Sequence, residues 1–337
     1  MVLAENDPIF IVGIMPRSGT NYLWDLLCAH PGCAPAREPI REDFFLQESD
    51  HLVAFMEGVR RWWDERWGVF PADLMASFRR SLGDGLISFL RADPSRRLVT
   101  KTPSVTRLAR FFSFFPQARL IILIRDGRSV VQSAMTTFGW NFDRAAREWA
   151  AAADEIRSFQ SHHRHLPDRY MTVRYEDLIE DVEGSLRGMF RFLDLKETGY
   201  DFEMAGSMPV RGSSFYLGPG HDSVHWEPVE KGPDFAPKER WRSWSTAMHL
   251  RFEWIAGEQL RSLGYRSLVP PIARPLDVIQ HRVLDSVWHV DQVARTLVYR
   301  ARITIGTATR PLRERLRLVR TSSPAPRIRQ REDPDRP

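Results

Sequence analysis

The sequence predicts an α/β protein in three layers, a mostly parallel sheet flanked by helices, with an appended C-terminal helix. Three observations carry this. Short apolar runs of strand character alternate with segments of helical spacing. One such run, Leu120-Ile121-Ile122-Leu123-Ile124, is apolar at every position, as a parallel strand covered on both faces should be. A chain of 337 residues, 43% hydrophobic and 27% charged, can also bury a sizeable core.

The elements follow in order. The first strand, Ile9 to Gly13, passes through the turn Ile14-Met15-Pro16-Arg17-Ser18-Gly19-Thr20 into a helix from about Asn21 to Ala29, where Leu23, Leu26 and Leu27 share a face. His30-Pro31-Gly32 ends it. A second strand is expected at Leu98-Val99-Thr100, followed by a helix carrying Val105, Leu108, Ala109 and Phe112. The third strand is Leu120 to Ile124; a fourth, Tyr170 to Tyr175, leads into a helix holding Leu178, Leu186, Met189, Phe190 and Phe192. Residues 143–166 read as a helix on the solvated face, and 206–245 as a long irregular segment rich in Gly, Pro, Ser and Trp. After Pro270, Pro271 and Pro275, the residues Leu276, Val283, Val287, Val290, Ala294 and Leu297 recur at steps of three, four or seven, the stripe of an amphipathic helix. Past Pro311 the chain turns Arg-rich and then Pro-rich, a composition that favours disorder. The expected division is a main domain over 1–269, the appended helix over 270–310 and a basic tail over 311–337.

Composition excludes several classes. Residues 301–337 hold ten arginines against four acids, so with a net charge of +5 the first 300 residues stand at −1. A near-neutral body argues against a nucleic-acid groove, which needs cations gathered on one folded face. No apolar run approaches the roughly 18 to 20 residues of a membrane span, and MVLAENDPIF lacks a leader pattern, so a cytoplasmic protein is expected. Cys28 and Cys33 are the only cysteines and belong to no Cys/His cluster, so reduced thiols and no metal are expected. His162, His163 and His165 lie in a polar helical context and read as a solvated run.

A strand, a Gly-containing turn and a helix start form a ready anion site, because the first helical N–H groups lack partners and the helix dipole favours negative charge. Arg17, Ser18, Gly19, Thr20 and Asn21 occupy that turn. The nucleotide P-loop G-x-x-x-x-G-K-[ST] does not fit: Gly13 to Gly19 is one residue too long and no lysine follows Gly19. The segment PRSGTNYLWDLLCAHP instead resembles the 5′-phosphosulfate loop of sulfotransferases that use 3′-phosphoadenosine 5′-phosphosulfate (PAPS). A second segment, LIILIRDGRSVVQSAMTTFGW, resembles that family's 3′-phosphate site, an arginine at a strand end and a serine eight residues on, here Arg125 and Ser133. Both stand in the family's order. Tyr-Glu-Asp-Leu at 175–178 is similar to a family pattern whose tyrosine lies beside the nucleotide; a half-buried aromatic at a strand end is the equal alternative. Arg211-Gly212-Ser213-Ser214 and Lys231 resemble the family's lid.

The resemblance implies a P-loop-like fold and sulfuryl transfer from PAPS, leaving adenosine 3′,5′-bisphosphate. Such transfer needs positive groups at the sulfonate and at the bridging oxygen, and a base for the acceptor hydroxyl. Arg17 and Lys101 would supply the charge. Lys101 stands in Val-Thr-Lys-Thr-Pro, directly after a predicted strand, and is one of four lysines in the chain. Cytosolic small-molecule members carry a lysine in the loop and a histidine base; Arg17 and Pro103 stand at those places here, so the chain looks more like the tyrosylprotein and glycan-modifying branches, which use a glutamate. Counted without a gap from His30-Pro31, Glu38 falls at that position; Glu42 is its rival, and each has an arginine beside it that could form a plain surface ion pair.

Trp62, Trp63, Trp67 and Phe70, with Trp226, Trp241 and Trp244, could stack on an acceptor, though core or lid packing is the commoner use. The acceptor expected is a carbohydrate or glycolipid hydroxyl. The stripe after residue 276 could pack on the protein's own surface, which is the simplest reading, form a homodimer contact, or lie with the basic segment on an anionic membrane. Two other functions compete: an ATP-dependent kinase or NTPase using the first loop, and a nucleotide-binding scaffold without turnover.

Overall fold

The computed structural model describes residues 7–68, 71–210 and 239–297. Strands β1 (Ile9–Gly13), β2 (Cys33–Pro35), β3 (Arg97–Thr102), β4 (Arg119–Ile124) and β5 (Tyr170–Arg174) pair in the order β2-β3-β1-β4-β5. Every pairing is parallel.

Strand side chains alternate between faces, so the sheet sorts its own core. On one face Phe10, Val12, Leu120, Ile122 and Ile124 pack with α4 (Phe111–Phe114), α5 (Gly127–Phe138), α6 (Phe142–His162) and α10 (Thr246–Ser262), where Phe111, Val130, Trp149, Phe159 and Phe252 are buried. On the other, Ile9, Ile11, Val99, Ile121, Leu123 and Val173 meet α1 (Thr20–Cys28), α7 (Tyr175–Glu180), α8 (Val182–Leu193) and α9 (Phe202–Ser207). Asp126, Asn141, Asp181 and Ser245 cap α5, α6, α8 and α10 by accepting first-turn N–H groups. At the N-terminal ends of the strands, buried arginines hold the frame. Arg97 donates to Asp7 O at 2.9 Å and to Leu193 O, Arg119 reaches Asp168 O and the Asp194 carboxylate, and Arg169 pairs with Asp7 at 3.6 Å.

Several expected elements are revised. The helix expected over Val105 to Phe112 is a 3-10 turn, Leu108–Arg110, followed by the short α4. The helix after β5 is two, broken at Asp181, and Tyr175 opens the first of them instead of closing the strand. Helix α6 is not a solvated element: Ala145, Ala146, Trp149, Ala153, Ile156 and Phe159 line a buried face. Four helices stand where none was expected, α2 (Ser49–Trp67), α3 (Ala72–Leu90), the short α9 and α10. Trp63 packs on the core while Trp62 and Trp67 are exposed, and Trp241 and Trp244 are buried. Phe70 and Trp226 lie outside the described residues.

The chain divides after Ile272 into two units. In the second, residues 275–297 form a helix, α11, on which Leu276, Val283, Val287, Val290 and Leu297 are exposed. Among the described residues no helix is long and apolar enough to cross a membrane.

Candidate active site

In the sheet order β3 and β4 flank β1, so the strand order reverses at β1, and it is outside the carboxyl ends at such a switch point that a parallel α/β sheet offers a ligand crevice. The turn after β1 is compressed. A Cβ on Gly13 would lie 2.5 Å from Ser18 Oγ and 2.6 Å from Thr20 Cγ2, so only glycine fits there. The buried Ser18 hydroxyl donates to Met15 O at 2.5 Å and closes the turn. Arg17 stands at φ 80° and Gly19 at φ 97°, the left-handed region. Helix α1 then starts with no side-chain cap and no acidic residue in its first turn. Thr20 is buried at its first position, and among the described residues nothing donates a hydrogen bond to the buried Oδ1 of Asn21.

From β4 comes Arg125, buried at the strand end, whose Nη1 donates to Arg17 O at 2.6 Å. Its guanidinium lies 4.4 Å over the ring of Tyr175, and that ring in turn fills the space beside Gly19, where a Cβ would fall within 2.3 Å of it. Tyr175 is fully buried, so it packs the turn in place. Two turns into α5, Ser133 Oγ accepts from Arg17 Nε at 3.1 Å. The first loop and the 3′-phosphate motif, distant in sequence, are therefore in direct contact.

The β4–α5 junction is fixed largely by residues given no role in the sequence reading, Asp126, Arg128, Glu176 and Tyr265. Glu176 accepts the Asp126 N–H at 3.0 Å and the Tyr265 hydroxyl at 2.8 Å, which ties the junction to the chain after α10. Arg128, paired with Asp126 at 2.6 Å, stacks 3.8 Å over Trp241. The signal available in sequence was the Arg-Asp-Gly-Arg spacing and the acid after Tyr175.

On the other side of β1, Lys101 corrects an expectation of position: it lies inside β3, opposite Ile11, not directly after the strand, and it is 2% exposed. Its Nζ is 3.2 Å from Glu42 Oε1 and 5.9 Å over the Trp24 ring. Burial pulls the Lys101 pKa below its ordinary value, and Glu42 opposes that. Asp43 sets the loop: its N–H donates to Lys101 O at 3.0 Å, and its carboxylate accepts from Thr100 Oγ1 at 2.8 Å and from the Phe45 N–H at 3.1 Å. Burial pushes Asp43 up to about 6 despite those bonds. Glu38 is not brought to this cluster. Its side chain is 75% exposed and pairs with Arg41 at 3.5 Å; the glutamate on Lys101 is Glu42. Ser213 and Lys231 lie outside the described residues.

The arrangement joins Arg17, Arg125, an uncapped helix start and a serine hydroxyl after β1 and β4, and sets Lys101 on the adjoining β3 with the Glu42 carboxylate on its Nζ. Such a set can bind a multiply charged anion and hold a base beside it. Among the described residues no group of three or more His, Cys, Asp or Glu side chains could hold a metal ion.

A family model described as the sulfotransferase family matches residues 8–199. A protein-tyrosine sulfotransferase of Drosophila melanogaster is 26% identical over 198 residues, covering 56% of this chain and 38% of the relative. Protein-tyrosine sulfotransferase 1 of Danio rerio is 24% identical over 208 residues, covering 56% and 53%. The chain thus spans about half the length of these curated relatives or less. Among solved structures, the sulfotransferase domain of the Synechococcus PCC 7002 olefin synthase is similar at 23% identity and a TM-score of 0.43, covering 83% of this chain and 95% of that one.

Proposed function

The chain belongs to the sulfotransferase family, and from that premise we propose that it transfers a sulfuryl group from PAPS to an acceptor hydroxyl by in-line displacement. The observation that carries this reading is the contact of Arg17 with Ser133 at 3.1 Å and with Arg125 at 2.6 Å, which joins the phosphosulfate-type loop to the 3′-phosphate-type motif. The turn suits such a donor: α1 begins without a side-chain cap and without an acid in its first turn. When bound, PAPS supplies an activated sulfonate on a phosphate leaving group.

Arg125 and Ser133 would hold the 3′-phosphate, and the turn from Arg17 to Asn21 the 5′-phosphosulfate, with Ser213 and Lys231 as further donor contacts on the family resemblance. Tyr175 keeps the turn seated. Arg17 and Lys101 offset charge on the sulfonate and the bridging oxygen, where a fixed cation in a desolvated site is worth most. The acceptor oxygen bonds to sulfur as the bond from sulfur to the bridging oxygen breaks, and a glutamate of the 36–43 loop takes the acceptor's proton. Counted without a gap from His30-Pro31, as the family resemblance implies, that glutamate is Glu38, with Glu42 its rival.

For the acceptor we propose a carbohydrate or glycolipid hydroxyl, supported by the departure from the lysine-and-histidine pattern. A tyrosyl hydroxyl is the second reading, favoured by the names of the relatives.

The test is a thermal shift with adenosine 3′,5′-bisphosphate against ATP plus Mg²⁺, on wild type and Ser133→Ala, because a ligand that binds only the native state raises its melting temperature. Stabilisation by the bisphosphate, reduced in the variant and unmatched by ATP, is expected. A preference for ATP plus Mg²⁺ would mean a kinase or NTPase. Radiolabelled sulfuryl transfer to oligosaccharide, glycolipid and tyrosyl-peptide panels then separates the acceptors.

A further inference from the structure

Lys101 faces two demands that one ammonium meets only in turn. Its Nζ lies 3.2 Å from the Glu42 carboxylate, and a sulfonate arriving beside Arg17 needs the same cation. We propose that Glu42 is the latch on Lys101 in the donor-free enzyme and the base in the donor-bound one: the sulfonate takes over the ammonium, and the carboxylate so released accepts the acceptor's proton. The proposal rests on the sulfuryl-transfer reading and assigns the base within it.

Three observations place the pair in these roles. Lys101 is 2% exposed and Glu42 18%, so the carboxylate is the member that solvent and an acceptor can reach. The backbone beneath Glu42 is fixed, because Asp43 holds β3 by its own N–H and by its carboxylate, on Lys101 O and Thr100 Oγ1. A long side chain on a fixed backbone can exchange one partner for another without rebuilding the loop. Glu38, by contrast, is exposed and pairs with Arg41. The acidic groups that act on Lys101 are Glu42, Asp25 and Asp43; Glu42 acts most strongly, and its Oε1 accepts a hydrogen bond from Nζ.

The step balances. The proton passes from the acceptor oxygen to the Glu42 carboxylate, the oxygen bonds to sulfur, and the electron pair of the broken sulfur–oxygen bond leaves with the bisphosphate, whose new charge Lys101 offsets. One consequence is order: before the donor binds, the base is engaged with Lys101 and an acceptor finds no free carboxylate.

The experiment is calorimetric titration of wild type, Glu42→Gln and Glu38→Gln with PAPS and, separately, with adenosine 3′,5′-bisphosphate, paired with single-turnover rates. Removing the latch removes a competitor for Lys101, so Glu42→Gln should bind PAPS about three- to tenfold more tightly than wild type, and the bisphosphate, which lacks the sulfonate, within about twofold. Its transfer rate should fall about a hundredfold. Should Glu42→Gln fail to fold, Glu42→Asp keeps the charge but shortens the reach, and should also bind PAPS more tightly than wild type. Binding of PAPS no tighter than wild type, a wild-type rate in Glu42→Gln, or loss of the rate in Glu38→Gln alone would each overturn the proposal. Wild type that binds neither ligand would overturn the sulfuryl-transfer reading with it.

Discussion

Arg17 Nε donates to Ser133 Oγ at 3.1 Å, linking the turn after β1 to the second turn of α5 across 116 residues of chain. A hydroxyl has one proton and two lone pairs, so Ser133 can accept from Arg17 and still donate to a phosphate oxygen. Alanine removes both bonds at once.

For Ser133→Ala we therefore expect adenosine 3′,5′-bisphosphate to bind about tenfold more weakly, the equivalent of one charge-assisted hydrogen bond. The unliganded protein should melt within a few degrees of wild type, because the residue is small and α5 keeps its Asp126 cap. Calorimetric titration reads the first and a thermal scan the second. An unchanged dissociation constant would remove Ser133 from the donor site.

Gly19→Ala should be the most damaging single-methyl change in the turn. The position holds φ 97°, and the added Cβ would press on the Tyr175 ring at 2.3 Å. Backbone strain and the clash together should cost on the order of 1–3 kcal/mol and displace the turn. Shrinking the ring in Gly19→Ala/Tyr175→Leu should relieve the clash but leave the strain, so chemical denaturation should recover only part of the loss. Full recovery would mean that the φ value carries no cost.

How much of this was legible in the sequence follows from what each signal depends on. Strands β1 and β4 are visible because burial on both faces makes them apolar at nearly every position. Strand β2, Cys-Ala-Pro, has no such run, and only its pairing with β3 makes it a strand. Helices α2 and α3 bury few residues, Ser49 and Met56 in one and Met75, Gly83 and Leu90 in the other, so neither carries a clean stripe. The buried face of α6 is built largely of alanine, which reads as neutral although it packs closely against the sheet.

The site divides in the same way. Arg17, Gly19, Arg125 and Ser133 are legible because each lies at a fixed offset within one local motif. The meeting of Lys101 with Glu42 is not, since it spans 59 residues and depends on Asp43 bonding to β3. A gap-free count pointed to Glu38; the hydrogen bonds of the next few residues turn Glu42 to the lysine instead.

Lys101→Met should slow the proposed transfer by roughly a thousandfold or more, because a buried ammonium assigned to offset charge on the sulfonate and bridging oxygen is lost. Methionine fills a similar volume, and the variant no longer bears the desolvation that lowers the lysine's pKa. Its melting temperature should therefore stay near that of wild type. A rate loss matched by unfolding would mean that Lys101 holds structure and not charge.

Asp43 gives a prediction in pH. Its carboxyl is pushed from 3.8 to about 6 by burial, against the Thr100 hydroxyl and the Phe45 N–H that favour the charged form. From about pH 4 to about pH 6 the folded protein holds a proton that the unfolded chain has released, so unfolding becomes easier as pH rises through that window. The loss is complete above the folded value and amounts to about 3 kcal/mol at most, from a shift of about two units. Asp43→Asn keeps an oxygen for the Phe45 N–H and has nothing to titrate. Its stability from urea unfolding should fall less than that of wild type between about pH 4.5 and about pH 7, by up to that amount. Equal falls in both proteins would show that burial does not perturb Asp43. A smaller fall together with slower transfer would assign it the seating of Glu42 against Lys101 as well.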